Sequence, residues 1–338
     1  MIPLLAFLLI GCDGENSNTA PSKDSPEEAA SKTKSPEAVS VNPNLKYKIE
    51  GDAVTITGCD KKALGDLIIP AKIEGKPVTS IGNSAFQSST NLTSITIPDS
   101  VISIGAGAFY ECTSLTSITI PDGVTSIGEK AFVNCSSLTS ITIPDGVTSI
   151  QIGAFLGCTG LTTIEVGAKN VNYTDVNGVL FNKEKMLLHT YPAGKAGANY
   201  NIPDSVTGIG YGAFNGCTSL TSVSISNGVT SIGNGTFSGC RSLTTITIPD
   251  GVTNIGGEAF VACYSLTSIT IPDSVTNIRR LAFWNCTSLT ALTFLGDAPI
   301  IKNDAFRKSS PTIYRKPEAK DWGDTFAGRP VKLITEKP

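Results

Sequence analysis

A phenylalanine returns every 23 residues along this chain, at Phe86, Phe109, Phe132 and Phe155 and again at Phe214, Phe237, Phe260, Phe283 and Phe306. A fixed period of this length marks a solenoid, in which each repeat buries its apolar face only against its neighbours. The period therefore overrides the two or three domains that a chain of 338 residues would otherwise suggest. One elongated repeat domain is expected, offering a long uniform surface and no single deep pocket.

The unit spanning residues 115–137 reads LTSITIPDGVTSIGEKAFVNCSS, and LTSITIPDGVTSI recurs unchanged from Leu115 and from Leu138. In LTSITI a period of two puts Ile118 and Ile120 on one face and Ser117 and Thr119 on the other, and the β-branched residues suit a strand. Pro121-Asp122-Gly123 then turns the chain, Val124 and Ile127 point back inward, and Ala131-Phe132 enters the core. The pattern predicts one short strand per rung. No isolated rung folds, because a handful of inward side chains at ~1.5–3 kcal/mol each must offset the ordering entropy of the whole unit.

The recurring L-x-x-I-x-I-P, V-x-x-I-G and A-F-x-x-C segments resemble the BspA-type class of bacterial leucine-rich repeats, found in surface proteins and adhesins. The resemblance implies a capped leucine-rich repeat solenoid of 23-residue units that binds other macromolecules. Residues 45–80 would hold a capping hairpin and a first partial repeat, with Tyr47-Lys48-Ile49 and Val54-Thr55-Ile56 flanking a turn. Repeats would follow over 81–165 and 202–310, interrupted by an irregular unit at 166–201, and residues 311–338 would close the rod with Trp322 and Phe326.

The first residues, MIPLLAFLLIGC, form an apolar run too short to span a bilayer and read as an export signal over 1–12. Leu9-Ile10-Gly11-Cys12 resembles the bacterial lipobox, which implies that Cys12 becomes the lipidated first residue. Residues 13–44 are Ser, Pro, Glu, Lys, Asn and Thr with few apolar side chains, the composition of a tether. Membrane contact is expected only through that anchor, on the cell surface or in the periplasm. With net charge −3 and 16% charged residues the chain lacks the basic footprint of a nucleic-acid binder.

Seven cysteines share one rung position, Cys112, Cys135, Cys158, Cys217, Cys240, Cys263 and Cys286, and are read as small buried thiols ahead of disulfides or a metal ladder. Cys59 stands outside the column. Asp99, Asp122, Asp145, Asp204, Asp250 and Asp273 each follow a proline, as turn residues do, and are weighed against a Ca²⁺ ladder. No cofactor or metal is expected. Outward strand positions carry a hydroxyl array, including Ser117, Thr119, Ser140 and Thr142, which serves either as a solvated face or as a carbohydrate- or ice-binding ladder.

The irregular unit gathers Tyr173, Phe181, His189 and Tyr191 with Lys183 and Lys185, and its GVLFNKEKMLLHTYPAGK reads as a hairpin turning near Asn182 to Lys185. Aromatic and long basic side chains on a projecting element are what interface hot spots favour. His189 is the only histidine, and no GxSxG, HExxH, CxxC or phosphate-binding loop is present, so catalysis is not expected. The expected product is a monomeric, lipid-anchored, adhesin-like protein that binds a protein or glycan ligand. The alternatives are an inward-facing envelope scaffold and a glycan- or ice-binding rod.

Overall fold

Two strands, not one, recur in each regular rung. In the computed structural model, which describes residues 42–302 and 304–336, the LTSITI segment forms strands such as Ser117–Thr119 and the following VTSI segment forms a second, two-residue strand such as Ser126–Ile127. The described residues fall within one unit, Ser40–Pro338, and successive rungs stack in parallel with a shift of one repeat, Ser94 on Ser117 and Ser103 on Ser126. The second strand is legible only as a ladder: Thr125 N donates to Ile102 O at 2.9 Å and Gly128 N to Ile104 O at 2.9 Å. Two residues carry no periodicity of their own. No α-helix occurs among the described residues.

The expected core forms as stacked columns. Phe86 through Phe155 pack ring on ring with centroids 5.1–5.7 Å apart and planes within 12°. A second stack runs from Phe214 to Phe306 at 5.1–5.6 Å. Beside the rings runs the cysteine column. Each thiol of the column donates to the carbonyl of the stacked ring residue one rung earlier, Cys112 to Phe86 O at 3.1 Å, Cys135 to Phe109 O at 3.1 Å and Cys286 to Phe260 O at 2.9 Å, with Cys217 reaching Tyr191 O at 3.9 Å. Ser309 takes the next position in the column and donates to Phe283 O at 2.6 Å, so the column requires a small donor and not sulfur as such.

At the N-terminal end Leu45–Glu50 and Ala53–Cys59 form an antiparallel hairpin, and the second of these strands pairs in parallel with Lys76–Ile81. Cys59 is buried there with the hairpin residues Leu45, Val54 and Ile56, which gives it a packing role in the cap. At the other end the Trp322 ring lies 5.0 Å from Phe294 and 4.7 Å from Phe326, closing the last exposed core.

The irregular unit divides the interior. Val179–Asn182 is a strand whose first three residues are all buried, with Leu180 packed into the core of residues 45–164 and Val179 and Phe181 into the core that runs on to Phe326. Alternate side chains point to opposite faces of a strand. This strand is therefore a partition with a core on each side.

Candidate functional site

The break in the period starts at Asn170, which is fully buried and makes four hydrogen bonds through its side chain. Its Nδ2 donates to Pro144 O and Val147 O at 2.8 and 3.0 Å, and its Oδ1 accepts from Asn172 N and Tyr173 N at 2.9 and 2.8 Å. The amides of Asn172 and Tyr173 thus turn away from the rung beneath. The Tyr173 hydroxyl compensates by accepting from Ile150 N at 2.9 Å, where the ladder of second strands stops.

From there the chain doubles back. Tyr173–Val176 pairs antiparallel with Val179–Asn182 across Asn177 and Gly178, whose φ values of 51° and 77° are those of a two-residue hairpin turn. A Cβ on Gly178 would collide with Thr163, so only glycine fits this turn against the strand below. Asn182 Oδ1 accepts from Leu187 N at 2.7 Å, and Leu187–Thr190 returns to the solenoid, pairing Leu188 with Ile209.

This detour leaves a groove of about 490 Å³ lined by Ile150, Ile152, Tyr173, Leu187, His189 and Tyr211 among others. Ile152, Leu187 and Tyr211 are exposed by 59%, 37% and 43%. Of the nine large hydrophobic residues exposed among the described residues, five (Ile152, Val171, Met186, Leu187 and Tyr211) fall in or beside this one unit. Apolar surface gathered in this way marks an interaction site, whereas scattered single residues do not.

The structure sorts the sequence candidates. Tyr173 and His189 are half-buried in the groove, ring edge to ring face at 6.1 Å, and His189 Nδ1 lies 2.8 Å from Thr190 Oγ1. Burial pushes the His189 pKa below its usual 6.5. Lys185 is exposed at the hairpin turn, while Lys183, also exposed, sends its Nζ to Asn170 O at 2.5 Å and braces the detour. Two candidates are corrected. Phe181 is fully buried on the partition strand, and Tyr191 is 3% exposed because it occupies the stacking column, 5.3 Å from Phe214. Neither ring reaches a partner. Ile152, Leu187 and Tyr211 went unnoticed in the sequence, although aligning rungs reveals them: Ile152 stands where earlier rungs have Ala106 and Glu129, and Tyr211 where later ones have Asn234 and Gly257.

Ser117, Thr119, Ser140 and Thr142 all lie exposed on the outer face of the first strands. The neighbouring threonine column bonds along the rod, with Thr116 Oγ1 donating to Thr93 O at 3.0 Å and Thr162 Oγ1 to Thr139 O at 3.0 Å. Cys12 lies outside the described residues. The eight described cysteines are free and buried. Burial pushes the Cys112 thiol up to about 12, and also raises Cys217 well above the usual thiol value. For Cys135 and Cys263 the thiol of the next rung, then burial, drives the rise. Asp145 Oδ1 accepts from Lys169 N at 2.9 Å, the bond of a turn residue. Among the described residues no group of three His, Cys, Asp or Glu is arranged to hold a metal ion, and no helix is long and apolar enough to cross a membrane.

A leucine-rich repeat protein from Eubacterium ventriosum ATCC 27560 is 27% identical over 81% of this chain and 77% of that chain, with a TM-score of 0.53. The pneumococcal vaccine antigen PcpA is 21% identical over 82% of this chain and 93% of that chain, with a TM-score of 0.58. A leucine-rich cell surface protein from Faecalibacterium prausnitzii A2-165 is 26% identical over 84% of this chain and 98% of that chain, with a TM-score of 0.49. Comparison with curated proteins gives no match. The family model for the BspA type leucine rich repeat region matches residues 71–192 and 193–312. With stacked rungs, a phenylalanine column and that match over most of its length, the chain belongs to the BspA-type leucine-rich repeat family.

Proposed function

We propose that this chain is a lipid-anchored, extracytoplasmic binding protein, adhesin-like in its action, that engages partner proteins through the groove of its irregular unit. The observation that carries the reading is the gathering of Ile152, Leu187 and Tyr211 around a groove of about 490 Å³, on a solenoid whose first strands present Ser and Thr on their outer face. A concave apolar site with a few polar groups is the usual form of a recognition pocket, and tyrosine is among the residues that dominate binding energy. The short apolar leader ending in Cys12 and the polar stretch over 13–44 support export and anchoring. Many anchored copies then multiply a modest single-site affinity.

The test is attachment of intact cells to immobilised matrix glycoproteins, with and without protease shaving and with a periplasmic protein as the lysis control. Shaving is expected to remove the solenoid and abolish attachment, and Leu187→Asp with Tyr211→Ala is expected to weaken attachment by about tenfold or more, the cost of a hot-spot pair. Attachment unchanged in that variant but lost on placing Arg at Thr119 and Thr142 sinks the groove reading in favour of the hydroxyl face. Protection from protease on intact cells places the rod inside the envelope and replaces adhesion by scaffolding.

A further inference from the structure

The turn that carries the phenylalanine and cysteine columns changes character in the C-terminal rungs. Over the four rungs from Phe237 to Phe306 it exposes Arg241, Arg279, Arg280, Lys302, Arg307 and Lys308, against only Glu258 and Asp304. Arg280 Nε is held by Asp304 Oδ2 at 2.8 Å, which leaves the other cations in excess on a chain whose net charge is −3. The acids of these rungs sit elsewhere: Asp250, Asp273 and Asp297 are exposed on the turn between the two strands. Over these rungs taken together the cations gather on the turn of the phenylalanine column and most of the acids on the turn between the two strands. In the N-terminal rungs the same turn carries Glu111, and Glu129 paired with Lys130 at 2.8 Å, so the excess is local.

Two of these cations are fixed by rings. The Arg241 guanidinium lies 5.7 Å from the centre of Tyr264, and Lys308 Nζ lies 6.0 Å from the centre of Trp284. Asn285, the residue after Trp284, donates from Nδ2 to Tyr264 Oη at 3.4 Å, so the two pairs lie on neighbouring rungs, whose buried Phe260 and Phe283 rings are 5.2 Å apart. A guanidinium lying over a ring keeps its in-plane donors for a carboxylate or sulfate and loses less entropy on binding.

The backbone of this turn is already satisfied from rung to rung: Gly235 N donates to Gly257 O, Glu258 N to Arg280 O, Ala262 N to Trp284 O and Asn285 N to Arg307 O, at 2.9–3.1 Å. Between these rungs the turn's backbone is thus engaged along the stack, and one face of Tyr264 and of Trp284 is taken by the protein's own cations. Recognition here falls to positive charges spread over successive rungs, two of them held over rings, the chemistry that meets a linear chain bearing sulfate or carboxylate at regular intervals. We infer that the Arg241–Lys308 ribbon binds an anionic polysaccharide, at a site separate from the groove and independent of the adhesin reading.

The test is binding of dextran sulfate to the full chain, with neutral dextran and polyglutamate as comparators and with rising salt. Wild type is expected to bind dextran sulfate in preference to both, with affinity falling steeply as salt rises. Arg307→Glu with Lys308→Glu is expected to weaken it about tenfold, and Arg241→Gln alone about threefold, as for exposed ion contacts. Leu187→Asp is expected to leave dextran sulfate binding unchanged, which separates this site from the groove. Equal affinity in the charge-reversed variant, its far-ultraviolet circular dichroism confirming the fold, overturns the proposal. So does equal binding of neutral dextran, and tighter binding of polyglutamate transfers the ribbon to an acidic protein partner.

Discussion

Replacing Phe260 by leucine removes two ring contacts, to Phe237 at 5.5 Å and to Phe283 at 5.2 Å, while the same change at Phe306 removes only the contact to Phe283 at 5.6 Å. Both side chains are at most 1% exposed, so the loss of volume is common to the two variants and costs roughly 1–2 kcal/mol, between the cost of trimming one methyl and that of removing a whole ring. Each ring pair adds about 0.5–1.5 kcal/mol beyond burial. Phe260→Leu should therefore cost about 0.5–1.5 kcal/mol more than Phe306→Leu, the worth of one ring pair. Trp284 and Trp322 both lie in the C-terminal half, so urea unfolding followed by tryptophan fluorescence reports that core. A double-mutant cycle of Phe260 with Phe283 should return a coupling of about 0.5–1.5 kcal/mol, and a cycle of Phe260 with Phe306, two rungs apart, should return none. Equal losses at both positions, or equal coupling across one rung and two, would refute the idea that stability is a sum over nearest-neighbour rungs.

The thiol column should be chemically silent: with Cys112 raised to about 12 and Cys135, Cys217 and Cys263 also raised, maleimide at neutral pH should label none of the eight described cysteines in the native state and all of them in urea. Rapid native labelling of this column, read by peptide mapping, would contradict the packing described. Burial of His189 sets a pH dependence whose sign follows from linkage. The unfolded histidine takes a proton near 6.5 and the folded one resists it, so the unfolded state binds more protons and stability falls as the pH drops below about 6.5. His189→Gln should flatten melting temperature against pH in that window, and a profile identical to wild type would rule out His189 as the source.

The regular rungs were legible because each side chain in them repeats its environment. Ile118 and Ile120 face in and Ser117 and Thr119 face out for the same reason in every unit, and the 23-residue recurrence fixes the register without further information. The same logic holds at Tyr191, which lies one period before Phe214 and so belongs to the stacking column, although the aromatic residues clustered around it mask that spacing. Phe181 failed for a different reason. Val179-Leu180-Phe181 is apolar throughout, the signature of a strand covered on both faces, and a hairpin expected to project into solvent should alternate. The cation ribbon was hidden because its members are spread over residues 241–308 and meet only when rungs stack. Composition averages them against the aspartates on the turn between the two strands.

A perfect solenoid has little means of making a concave site, since every rung pairs its backbone with the next and buries its large side chains. Specific recognition of a defined partner then requires a place where the period fails, and the failure must be stabilised from within. Here Asn170 and the Tyr173 hydroxyl take over hydrogen bonds that the ladder abandons, and the partition strand fills the interior on both sides. The groove that results has walls anchored in different cores: Ile150 and Tyr173 pack with the N-terminal core, Leu188 and Ile209 with the C-terminal one. Its width is consequently set by how the two cores seat against Leu180 on one side and Val179 and Phe181 on the other. A side chain changed on the partition strand, although unable to touch a ligand, would reshape the groove, which makes the buried Phe181 a determinant of the site in a manner that no exposed-residue argument captures.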